Sequence, residues 1–81
     1  MTHPMTSTEI SDWLRDRIAE TLGTDPSTVD ATVTFDRLGL DSLALLGLIG
    51  DLASTLGIQI ETSVLFDHPT IEALAGHLAA D

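Results

Sequence analysis

Leu38-Gly39-Leu40-Asp41-Ser42-Leu43-Ala44-Leu45-Leu46-Gly47-Leu48-Ile49-Gly50-Asp51-Leu52-Ala53-Ser54-Thr55-Leu56-Gly57 is the stretch on which the reading of this chain turns. Asp41 is a good helix cap, because its carboxylate can accept from a first-turn N–H. Leu45, Leu48, Ile49, Leu52 and Leu56 then recur at the spacing of one helix face. Gly57 is the residue type that ends helices in the left-handed conformation. The stretch therefore predicts a helix from Ser42 to Gly57 with one buried stripe. The opposite stripe reads Leu43, Gly47, Gly50 and Ser54, small and uncharged, and Asp51 is the one charge inside the helix. Each interior glycine costs about 1 kcal/mol relative to alanine.

Toward the N-terminus, residues 24–40 show neither helical nor strand period. Asp25-Pro26-Ser27 signals a turn. Val29, Val33, Phe35, Leu38 and Leu40 are scattered apolar residues, expected to pin a long loop to the core, with room for a short helical turn. Long connections in small domains are uncommon and often functional. Before them, Thr6 and Glu9 have capping-box spacing, and Ile10, Leu14, Ile18 and Leu22 mark a helix over about 7–22 that Gly23 stops. Trp13 reads as a partly buried packing residue of that helix. Residues 1–6 read as a flexible start.

Toward the C-terminus, Ile58-Gln59-Ile60 alternates but is too short to make a strand. Thr62 is placed to cap a short turn over Ser63–Phe66, Pro69 blocks continuation from before it, and Thr70 is placed to cap a last helix. There Ile71, Leu74, Ala75, Leu78 and Ala79 form the apolar face, and Glu72 in the first turn suits the helix dipole. The expected fold is all-α: a four-helix bundle of three main helices and one short one, with a long first loop, in a single domain over 7–80. Phe35 and Phe66 are expected core anchors. His68 is expected to pack or hydrogen-bond in the turn before the last helix.

Composition bounds the function. Eighty-one residues suffice for one small domain, and 43% hydrophobic content supplies a core, so wholesale disorder is excluded. With no cysteine there is neither a disulfide nor a thiolate metal site. Thirteen acidic residues face three arginines (Arg15, Arg17 and Arg37), and the net charge is −10. Nucleic acid and anionic membrane surfaces are poor partners for such a chain. Proteins with basic docking surfaces suit it. The longest apolar run, Leu43 to Ile49, is too short to cross a bilayer. The first ten residues lack the basic flank and apolar core of a signal peptide, so the expected location is the cytoplasm. The opening Met1 reads as the start of a discrete protein, although a piece of a larger one would look the same.

No catalytic constellation is visible. Ser42 has no evident base, the G-x-S-x-G elbow of hydrolases is absent, and His3, His68 and His77 are dispersed. HExxH, EF-hand, P-loop and GxGxxG patterns are missing. An isolated Asp-Ser pair would be read as a cap. At this junction, however, a serine hydroxyl in the first helical turn would stand outward near unpaired N–H groups, where a phosphate ester would be stabilised by those donors and by the dipole.

Leu38-Gly39-Leu40-Asp41-Ser42-Leu43, followed at the right distance by Val64-Leu65-Phe66-Asp67-His68-Pro69-Thr70 and an apolar helix, resembles acyl carrier proteins, most of all those of polyketide synthases. The resemblance spans roughly residues 7–80. It implies a carrier with no catalysis of its own. A phosphopantetheinyl transferase would use magnesium to move a 4′-phosphopantetheine arm from coenzyme A to Ser42. Asp41 would cap the helix and help position the metal and the transferase. Acyl groups would ride as thioesters on the arm, and a loading enzyme, a ketosynthase or an acyltransferase would be the partners of a monomeric carrier. Leu43, Leu46, Gly47, Gly50, Asp51 and Ser54 would form the docking surface, and Leu65 and Phe66 are candidates for cargo contact.

Two departures bear on this. Peptidyl carriers of nonribosomal pathways, the first rival, typically show a GGDS-like motif, and Leu40 stands where its second glycine would be. Related carriers often have a glutamate where Gly47 lies, so docking through acids on this helix is weakened here. The rival from another class is an unmodified acidic interaction module, and a remote third is a small serine hydrolase.

Overall fold

The computed structural model describes residues 5–79. Residues 1–4, most of the stretch expected to be a flexible start, and residues 80 and 81 lie outside it. Three longer helices, α1 (Ser7–Leu22), α3 (Ser42–Leu56) and α5 (Ile71–Leu78), carry the fold. Two short ones, α2 (Phe35–Leu38) and α4 (Ser63–Asp67), and a 3₁₀ turn (Pro26–Thr28) lie in the connections. Among the described residues there is no strand. Ile58-Gln59-Ile60 is irregular, and the one β-bridge joins Thr34 to Thr70.

The capping chemistry is largely as the sequence predicts. Thr6 Oγ1 accepts from Glu9 N–H at 3.2 Å, and Glu9 Oε1 accepts from Thr6 N–H at 3.0 Å. Each bond satisfies a donor that the helix start leaves unpaired. Asp41 and Thr70 cap α3 and α5 through Ala44 N–H and Ala73 N–H at 2.8 and 3.0 Å. Thr62 departs from expectation. Its backbone is already helical (φ −62°, ψ −27°), its side chain makes no cap bond, and Leu65 N–H bonds to its backbone carbonyl instead.

The core is one cluster. Ile10, Leu14, Ile18 and Ala19 of α1 meet Leu48, Ile49 and Leu52 of α3 and Ile71, Leu74 and Ala75 of α5. Leu45 and Leu56, the ends of the α3 stripe, are half-buried. The long connection contributes Val29, Phe35 and Leu40 to the same cluster. Those three hold it down, as the scattered apolar residues led one to expect, and Arg15 Nε adds a bond to Val29 O at 3.2 Å.

The connection is more ordered than a pinned loop. Asp25 and Asp30 each accept from the N–H and hydroxyl two residues on, Ser27 and Thr32, giving two tight turns. Helix α2 is a single turn, too short for periodicity to reveal. It forms because Phe35 is buried and because Gly39 takes φ +101°, a conformation that side-chain-bearing residues rarely adopt. Phe35 N–H donates to Pro69 O and Glu72 N–H to Ala31 O, both at 3.0 Å, so the connection is laced to the α4–α5 turn.

Candidate functional site

Gly39 turns the chain out of α2, Leu40 drops into the core, and Asp41 (φ −85°, ψ 175°) starts α3. Ser42 is thereby fixed as the first helical residue, on the surface. Among the described residues its hydroxyl has no partner, and the N–H groups of Ser42 and Leu43 are unpaired. Two free donors at the positive end of a 15-residue helix favour a negative group on the adjacent oxygen.

Ser42 stands at the edge of an open groove of about 530 Å³. Helix α3 supplies one wall through Leu45 and Leu46, and Thr62 with Leu65 and Phe66 of α4 supplies the other. Phe35, Asp36 and Pro69 complete the lining, so the bond from Phe35 N–H to Pro69 O holds the groove together. A hydrogen bond from the Thr34 hydroxyl holds the Asp36 carboxyl below the usual carboxylate range, against a smaller opposing effect of desolvation.

Phe66 is not the core anchor expected of it. It is 85% exposed on the groove rim. Phe35 alone of that pair is in the core, because α4 is one turn long and turns Val64 and Leu65 inward instead. Leu43 and Leu46, at 81% and 51% exposure, extend the apolar surface on the α3 side of Ser42. Leu65 and Phe66 thus line the same groove as Ser42.

The predicted docking residues divide. Leu43, Gly47, Gly50 and Ser54 are all exposed, and a Cβ added at Gly47 or Gly50 would meet nothing within 4 Å. Leu46 belongs to the groove. Asp51 turns toward α1, where Arg17 Nη1 lies 3.4 Å from its carboxylate and the guanidinium also sits 5.0 Å from the Trp13 ring centre. Both partners of that pair are half in water, so it contributes little stability. It does neutralise the one acid on α3. His68 stacks on His77, ring centres 4.1 Å apart, and neither lines the groove of Ser42. Among the described residues no group of three His, Asp or Glu side chains could hold a metal, and no helix is long and apolar enough to cross a membrane.

Sequence reasoning missed Asp36, Thr62 and Pro69 as groove residues. The Phe35-Asp36-Arg37 segment has no period, and Thr62 looked spent as a cap.

The match to known families decides what this arrangement is. Residues 12–78 match the family described as the phosphopantetheine attachment site. The chain belongs to that family. It is 42% identical over 71 residues to the polyketide synthase GfsA of Streptomyces halstedii, covering 86% of this chain and 1% of that protein. It is 33% identical over 76 residues to the acyl carrier protein TtuC of Teredinibacter turnerae, covering 94% of this chain and 87% of that one. The chain thus spans a very small part of the synthases it matches and most of the acyl carrier protein TtuC. The solution structure of Asl1650, an acyl carrier protein from Anabaena sp. PCC 7120, superposes with a TM-score of 0.89 at 35% identity, over 95% of this chain and 88% of that one. The fold is therefore that of acyl carrier proteins, and the chain is a carrier domain related to those of polyketide synthases. The cofactor of the family is 4′-phosphopantetheine, and the residues present fit it. An exposed hydroxyl with free N–H donors beside it suits the phosphodiester, and an apolar groove alongside suits the chain beyond.

Proposed function

We propose that this carrier holds acyl intermediates as thioesters on a 4′-phosphopantetheine arm attached to Ser42 Oγ and delivers them to enzymes of polyketide or related secondary metabolism. The observation that carries the reading is the placement of Ser42: a free hydroxyl at the N-terminus of α3 that opens onto an apolar groove.

Attachment requires little of the carrier. Ser42 Oγ would take the pantetheine-bearing phosphoryl group of coenzyme A, the new O–P bond replacing the pyrophosphate bridge with adenosine 3′,5′-bisphosphate as the leaving group. The hydroxyl proton would pass to a base on the transferase, and magnesium would offset the charge of the pyrophosphate. Asp41 holds the first turn of α3 in register and stands next to Ser42 for the transferase and its metal. The carrier makes and breaks no bonds in the cargo. Once bound, the arm supplies a thiol that holds the acyl group, and the protein supplies an address, a tether and partial cover. The exposed face of α3, Leu43 with Gly47, Gly50 and Ser54, is the docking face for loading and accepting enzymes, with Asp51 at its α1 edge. The acidic charge and the absence of any membrane-crossing helix among the described residues support a cytoplasmic setting.

The test is intact mass after incubation with coenzyme A, magnesium and a broad-specificity transferase. One arm should add to the wild type, and fragmentation should map it to Ser42. Ser42→Ala should show the same circular dichroism and take up no arm. An arm on another serine, or none, would overturn the assignment.

A further inference from the structure

The chain tethered at Ser42 is rich in hydrogen-bond acceptors. The arm has amide carbonyls, the loaded thiol has a thioester carbonyl, and a partly processed acyl chain has a keto oxygen. The groove it would enter is poor in side-chain donors. Leu45, Leu46, Leu65, Phe66, Phe35 and Pro69 have none. Esterification removes the hydrogen of the Ser42 hydroxyl. Asp36 is a carboxylate at neutral pH, as an ordinary aspartate is, and can only accept. One donor is left among the described side chains of the lining, the hydroxyl of Thr62.

That hydroxyl is unspent. Thr62 precedes α4, where a threonine would ordinarily bond to a first-turn N–H. Here the backbone is helical, Leu65 N–H is satisfied at 3.1 Å by the Thr62 carbonyl, and the Thr62 side chain has no partner among the described residues. A mostly apolar groove with a few convergent polar groups is the usual design for fixing the orientation of a ligand, and Thr62 is the one side-chain donor among those of this lining. Resting on the reading of Ser42 as the attachment point, we propose that Thr62 Oγ1 donates a hydrogen bond to a carbonyl oxygen of the tethered chain and so draws it into the groove between α3 and α4. The α4 wall then does two things: Leu65 and Phe66 cover the apolar part of the chain, and Thr62 sets its register.

The experiment compares wild type, Thr62→Val and Thr62→Ser, each ¹⁵N-labelled, in holo, butyryl-loaded and 3-oxobutyryl-loaded forms. Intact mass first verifies one arm per molecule. Failure at that step overturns the Ser42 reading, whereas the later readouts bear on Thr62. Two quantities are read: the backbone amide shifts of residues 62–66 relative to the unmodified protein, and the rate of thioester cleavage by hydroxylamine. Valine keeps the shape and removes the donor, so Thr62→Val should lower the docked population roughly fivefold, the weight of one neutral hydrogen bond. The shifts should shrink and cleavage should speed up, and Thr62→Ser should restore both. An effect already present in the holo form identifies an arm amide as the acceptor. An effect confined to the 3-oxobutyryl form identifies the cargo keto oxygen. Shifts and cleavage rates that are the same in Thr62→Val and wild type in every form would overturn the proposal.

Discussion

Leu52→Ala tests the packing on which the whole site rests. Leu52 is fully buried at the centre of α3, in the cluster that includes Leu14 of α1 and Ile71 and Leu74 of α5. The substitution removes three carbons. At about 0.8 kcal/mol per buried methylene, the lost transfer energy is about 2.4 kcal/mol. A residual void adds about 24 cal/mol per Å³, so roughly 60 Å³ left unfilled would bring the total to about 4 kcal/mol. A domain of this length has about 4–12 kcal/mol of stability in all, so the variant should be marginal or partly unfolded at room temperature. Urea unfolding followed by circular dichroism reads this directly. With a slope of about 1 kcal/mol per molar urea for so small a chain, the midpoint should fall by about 2.5–4 M. Leu46→Ala, at a half-exposed groove position, should cost only about 1 kcal/mol by the same reasoning. A Leu52→Ala midpoint within about 0.5 M of wild type would refute the assignment of that face to the core.

Asp41→Ala removes the cap on Ala44 N–H and should cost about 0.5–2 kcal/mol in the same assay; it should also slow arm attachment, measured as the initial rate of mass gain, more than its fold loss explains. Gly47→Ala should stabilise the protein by up to about 1 kcal/mol, because the added methyl meets nothing. Gly47→Glu should gain less, since a second acid four residues before Asp51 repels it by a few tenths of a kcal/mol, and it should slow acyl transfer with the cognate enzyme while leaving attachment by a permissive transferase intact; equal transfer rates would remove close approach as the reason for the glycines. The carboxyls of Asp25, Asp30 and Asp36 are held below their ordinary range, chiefly by hydrogen bonds from Ser27, Thr32 and Thr34 respectively. The unfolded chain therefore binds more protons than the folded one around pH 4, so these groups contribute stability that is complete above the unfolded carboxylate pKa and is lost as pH falls through the folded values. Thermal melts between pH 2.5 and 6 should show this as an acid limb, and Asp30→Asn should flatten it; an unchanged limb would count against the Thr32 bond.

How much of this was legible in the chain differs from element to element. The three long helices were, because each pairs a periodic apolar face with its own stop or start signals: Thr6 with Glu9 and Gly23, Asp41 and Gly57, Thr70 after Pro69. Those are local rules, and local rules are written in nearest neighbours. Ser42 was legible for the same reason, since its exposure follows from being the residue after a cap. The groove was not. Its walls come from α2, α3 and α4 and from Pro69, segments separated by up to some three dozen positions and joined by backbone bonds such as the one from Phe35 to Pro69. Phe66 was misread as core because a single helical turn has no period to say which side faces in, and only the docking of α4 puts Phe66 on the rim. Thr62 was misread as a cap because residue type and position agreed with capping. The backbone torsion that frees its hydroxyl is set by how the chain must approach α4, and that depends on packing between elements rather than on the residues beside it. The sequence by itself thus determined the helices, the exposed serine at the start of α3 and the acidic charge. The tertiary structure decided which side chains line the groove beside Ser42, because that list depends on non-local contacts that no nearest-neighbour pattern encodes.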